Sequence, residues 1–141
     1  MVLGVASFRR RLKVIPRGLE DALKPIVSRY ADQMVAQMKS LVPIEEGRLR
    51  DSIGWTFGKP PKGAIALGGF NGAGFRVVVY AGNSETIVTN KSGGEFQNAR
   101  LQEFGTEARP ASPYFFIAWR SNRRRIRAGI TRATRKFIKQ S

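Results

Sequence analysis

The side chains able to do chemistry are few, and most are cations. The chain has no Cys and no His, which excludes disulfides, thiolate or imidazole metal ligation and His-based proton transfer. Carboxylates come in two groups, Glu103 with Glu107 around Gly105, and Glu45, Glu46 and Asp51. Such pairs can move protons or hold a metal, but Arg48, Arg50 and Arg109 stand close by in sequence, and helix caps and surface ion pairs account for the same residues. Gly58-Lys59 lacks the phosphate-loop spacing, because Gly54 is one residue too near and Pro60 stands where a Ser or Thr must bind magnesium. Gly68, Gly69, Gly72 and Gly74 precede a strand rather than a helix, so no helix N-terminus is offered to a phosphate. Nothing in the spacing of Tyr30, Tyr80 and Tyr114 singles one out. Catalysis, a cofactor and a metal are therefore not expected.

What stands out is charge. In 141 residues, 25 Lys and Arg face 10 Asp and Glu, a net charge of +15. Residues 113–141 hold nine basic residues and no acid, among them Arg120, Arg123, Arg124 and Arg127. A second cluster, Arg9, Arg10 and Arg11, lies near the N-terminus. Like charges at i,i+4 repel, so an acidic partner relieves a cost that a free helix carries. These seven arginines are the expected partner-facing residues. Charge alone leaves DNA, RNA and acidic protein open, and no base-reading motif accompanies it.

The elements that must carry these residues follow from patterning. A length of 141 residues suits one domain, and 42% hydrophobic content suits a folded core. The longest uncharged stretch, between Lys62 and Arg76, is glycine-rich and too short to span a membrane. The apolar run Met1 to Phe8 precedes the basic cluster, the reverse of a signal peptide. Residues 1–18 read as a basic arm or short helix, and 19–141 as one domain. Apolar residues from Leu19 to Leu41 repeat at helical spacing; Pro25 is expected to kink that helix or mark its start, and Pro43 ends it. Residues 52–57, Ala64 to Gly68 and Phe75 to Ala81 read as strands, with Gly69 to Gly74 a flexible loop. Residues 83–97 read as a long loop with a brief strand at Thr86 to Thr89. A short helix from Ala99 to Phe104 closes at Gly105. Ser112-Pro113 offers a cap and first-turn proline for a basic helix running to about Lys139. The sum is an α+β domain: long helix, antiparallel β-meander of three or four strands, short helix, long basic helix.

Two segments carry a resemblance. Val42-Pro-Ile-Glu-Glu-Gly-Arg-Leu-Arg-Asp-Ser-Ile53, after an amphipathic helix, resembles the V-P-x-x-T-G-x-L-x-x-S-I signature of small neck proteins of long-tailed bacteriophages. Leu101-Gln-Glu-Phe-Gly-Thr106, followed by Pro110 and Pro113-Tyr-Phe-Phe116, resembles their E-F-G-T … P-x-x-P-F segment. The chain is similar in this way, over residues 19–137, to the head–tail joining or tail-completion proteins called the gene-product-ten family after a lambdoid phage. Glu46 replaces the family's usual Thr, and the 83–97 segment is longer than theirs. The motif residues have architectural readings: Pro43 stops a helix, Gly47 permits a tight reversal, and Leu49 and Ile53 enter the core. In the second motif Glu103 and Thr106 flank a packed Phe104 and a turning Gly105, and Pro113 aims the last helix.

The resemblance implies a non-enzymatic virion protein of the head–tail junction or proximal tail, made in the host cytoplasm. It implies a homo-oligomeric ring, a hexamer by tail symmetry, whose partners are the connector or stopper, the tail terminator, the tail tube and, non-specifically, packaged DNA. A tail terminator or other minor tail protein is the alternative within this class. A small basic nucleic-acid-binding protein or ribonuclease toxin is the alternative outside it.

Overall fold

A computed structural model describes residues 17–72, 74–89 and 91–140. The expected arm at residues 1–18 falls almost wholly outside them, as do Arg9, Arg10 and Arg11.

Helix α1 spans Leu19–Leu41. Leu19, Leu23, Val27, Ala31, Met34 and Met38 are buried along one side, a stripe repeating every three or four residues. Glu20 and Asp21 sit in the first turn and Lys39 in the last, matching the helix dipole. The helix runs on through Pro25, which lies on the exposed side. There the Asp21 carbonyl that loses its amide partner can be hydrated, so the residue neither starts nor stops the helix. Val42 turns extended and Pro43 follows.

Next come a 3₁₀ turn, Ile44–Glu46, and the short helix α2, Gly47–Ser52. This corrects two expectations. Gly47 makes no tight reversal: it enters α2 at φ −60°, with free space where a Cβ would stand. The strand expected from residue 52 begins only at Gly54. Leu49 and Ile53 do enter the core, at 1% and 4% exposure.

Strands β1 (Gly54–Phe57), β2 (Ile65–Gly72) and β3 (Phe75–Ala81) form an antiparallel sheet. Their order is β1-β3-β2 rather than that of a meander. β3 takes the centre because it is the most apolar strand, with Val77, Val79 and Ala81 fully buried. Residues 69–72 are strand, not flexible loop. Gly69 lies so near β3 that an added Cβ would stand 1.9 Å from the Val77 carbonyl oxygen, and Phe70 is buried beside it.

The 83–97 segment is likewise more ordered than a loop. A 3₁₀ turn at Ser84–Thr86, closed by a capping box on Asn83, leads into a hairpin of β4 (Ile87–Thr89) and β5 (Glu95–Gln97). Gln97 ties its base down by donating to the Gly63 and Asn83 carbonyls. Helix α3 (Asn98–Phe104) follows, and helix α4 (Phe115–Gln140) ends the described chain. α1 and α4 pack on each other; α1 crosses all three strands of the larger sheet, and α4 reaches β2. The architecture is α+β.

Candidate functional site

The geometry of α4 decides what its charges can do. Its start is fixed by a residue far away in sequence. Glu103, on α3 and only 4% exposed, accepts three backbone amides: Tyr114 and Phe115 on Oε2 at 2.7 and 2.9 Å, and Phe116 on Oε1 at 2.8 Å. A carboxylate at a helix N-terminus satisfies amides that have no helical partner and meets the positive end of the dipole. The helix therefore begins at Phe115, two residues beyond Pro113, and Glu103 replaces the Ser112 cap expected from local sequence. The Ser112 amide instead donates to the Gln102 carbonyl at 2.9 Å.

The Tyr114 side chain completes the joint. Its hydroxyl donates to the Ala99 carbonyl at 2.8 Å, and its ring is fully buried. Burial, reinforced by the neighbouring Glu103 charge, pushes the phenol's pKa well above its usual value. Gly105 closes α3 at φ 74°, where the chain folds back so tightly that a Cβ would meet the Ala111 amide nitrogen at 2.5 Å. Thr106 and Arg109 then bond one another across a tight turn. Phe104 does not pack as expected. It is 64% exposed, because α3 turns its Ala99, Gln102 and Glu103 side inward.

The carboxylates separate rather than converge. Glu103 is a buried cap, while Glu107 is exposed. Glu46 accepts from Asn98 at 2.8 Å and lies 4.0 Å from Arg109. Arg50 turns to the Val42 carbonyl instead of to an acid. Among the described residues no group of three acids could hold a metal, and no helix is long and apolar enough to cross a membrane.

The basic face stands apart from all of this. Ala118, Asn122, Ile126 and Gly129 of α4 are buried, and Asn122 donates to Gln37 of α1 at 2.6 Å. Arg120, Arg123, Arg124 and Arg127 are exposed on the opposite side. At 3.6 residues per turn they share an arc of about 100°. Among the described residues, no carboxylate forms an ion pair with any of them; the ion pairs are Lys24–Glu20 and Arg109–Glu46. Arg127 lies over the Trp119 ring at 5.9 Å, and Arg125 over Tyr30 at 5.7 Å. Trp119 in turn stacks on Phe70 of β2, with centroids 6.1 Å apart. Between β2 and α4 an open cleft of about 420 Å³ has this pair in its wall, together with Asn71, Arg76, Arg127 and Thr131.

The model of a family described as "Bacteriophage HK97-gp10, putative tail-component" matches residues 6–105. No curated protein and no solved structure matches the chain. The matched region runs from before α1 through the sheet, the hairpin and α3, and stops at Gly105, ahead of α4. That is well over half of the sequence, and it contains the first motif and residues 101–105 of the second. The chain belongs to this HK97-gp10-like family of bacteriophage tail components.

Proposed function

We propose that this tail component is a structural virion protein of the head–tail junction. Copies assemble into a closed ring, a hexamer, that completes the tail and joins it to the DNA-filled head. The protein does no catalysis. The α4 face is its docking surface, meeting acidic faces of the connector or stopper, the tail terminator or the tail tube, with packaged DNA as a non-specific contact. A basic arm at 1–18, preceding one domain at 19–141, adds Arg9, Arg10 and Arg11 to the same task.

One observation carries the reading. Arg120, Arg123, Arg124 and Arg127 lie exposed along two turns of one helix, with no carboxylate paired to them among the described residues. A ring of identical subunits multiplies such a face, so many weak contacts act together. Mass photometry of the full chain, alone and with tail proteins, tests the ring. Negative-stain images of particles made without the protein test its place: separate filled heads and finished tails support joining, while tails of uncontrolled length assign termination instead. A monomer that cleaves RNA overturns the proposal. Particles carrying Arg123→Glu, Arg124→Glu and Arg127→Glu together should fail to attach tails, and normal infectivity would remove α4 as the docking surface.

A further inference from the structure

We propose that the cleft between β2 and α4 takes an extended acidic segment of a partner protein, added as a strand to the outer edge of β2, with a carboxylate held between Arg76 and Arg127. This rests on the docking reading above and names the chemistry of what docks.

Strand β2 is an edge strand, and among the described residues no strand pairs with its outer side. Natural sheets usually protect such an edge with charges, prolines or a bulge. Here the bulge lies between Ala66 and Gly68, and from Gly68 to Gly72 the pairing with β3 is regular. Three residues of that regular stretch, Gly68, Gly69 and Gly72, carry no side chain to screen the main chain. Each glycine has an inward reason, in Phe115, the Val77 carbonyl and Phe75 respectively. The outcome at the edge is the same: a backbone that another backbone can approach closely.

The cleft meets this stretch at Gly69, Phe70 and Asn71, and its chemistry selects the occupant. Phe70 and Trp119, stacked at an interplanar angle of 8°, make an apolar wall for the side chains of an added strand. Arg76 and Arg127 are both exposed, and neither forms an ion pair among the described residues. Arg76 bonds the neutral Asn71 at 3.3 Å, and Arg127 covers the Trp119 ring. Two guanidinium groups on one cleft attract a carboxylate and leave their forked donors to receive it. Duplex DNA presents a convex row of phosphates, for which the apolar wall and the strand edge have no use. An acidic strand uses all three features, its main chain for affinity and its side chains for selection.

The test uses the full chain and a dye-labelled peptide of alternating Val and Glu, as long as the eight residues of β2, followed by fluorescence anisotropy. Arg76→Glu with Arg127→Glu should weaken binding at least ~10-fold, the loss expected when charge-assisted bonds are removed. The same peptide N-methylated at alternate residues should weaken as much, since strand addition requires its amides. Arg29→Glu with Arg48→Glu, exposed and outside the cleft, should stay within about threefold. Arg76→Gln with Arg127→Gln repeats the measurement should the reversals disturb folding. Equal binding of the N-methylated peptide overturns the proposal. So does equal weakening by the Arg29 and Arg48 reversals, or displacement of the peptide by duplex DNA. Self-association that the Arg76 and Arg127 reversals abolish would make a second copy the occupant and overturn the partner assignment. Failure to form a ring would leave all these affinities unchanged, so the two readings fail separately.

Discussion

At the scale of residues, Glu103 carries the most. One buried carboxylate receives three amides at the start of α4. Glu103→Ala should destabilise the fold by about 3 kcal/mol and Glu103→Gln by about half that, read from urea melts. Tyr114 offers a pH test at the same joint. Its phenol holds its proton to higher pH in the fold than in the unfolded chain. That contribution is complete below the ordinary tyrosine value near ~10 and is lost as pH rises from there toward the folded value. Tyr114→Phe should cost about 1 kcal/mol at neutral pH, for the lost bond to Ala99. It should also flatten the fall of stability with pH in that alkaline range, by up to ~1.4 kcal/mol per pH unit. Local sequence offers little warning of this joint, because Glu103 stands twelve residues before Phe115 and ordinary capping spans three. Phe104 misleads for the opposite reason: its type says core, whereas the side of α3 that turns inward is set by Glu103.

At the scale of elements, α1 and α4 meet at Gly129, where an added Cβ would stand 1.8 Å from the Tyr30 hydroxyl. Gly129→Ala gains about 1 kcal/mol of helix propensity but overpacks the crossing by about 1–3 kcal/mol. A net loss is expected in thermal melts. In a Tyr30→Ala background the same substitution should become neutral or stabilising, and a double-mutant cycle measures the difference. Both long helices were legible in the sequence because their buried stripes repeat over many turns. β3 was legible from its run of β-branched residues. The 69–72 end of β2 was not, since clustered glycines signal a loop and only the nearness of the Val77 carbonyl shows why a strand requires them. Strand order escaped as well. Spacing along a chain does not say which strand takes the centre, and here burial of Val77 and Val79 does.

At the scale of the whole molecule, a charge of +15 is visible before any fold is known, but its arrangement is not. The structure places Arg120, Arg123, Arg124 and Arg127 on one exposed arc, where Arg127 touches the packed Trp119 ring only from its solvent side. Reversing Arg123, Arg124 and Arg127 should therefore change stability by less than about 1 kcal/mol in urea melts, even though it lowers the charge by six. Attachment should weaken steeply between roughly 0.1 and 1 M salt, since screening shortens the reach of exposed charges from ~10 to ~3 Å. The Glu103 joint has one more consequence. It grips backbone amides, which every residue but proline supplies, so it is indifferent to the outward letters of the helix it suspends. The family match ends at Gly105, and the suspended helix lies beyond it. Exchanging the exposed arginines of this final rod for other residues therefore leaves the hanger as it is.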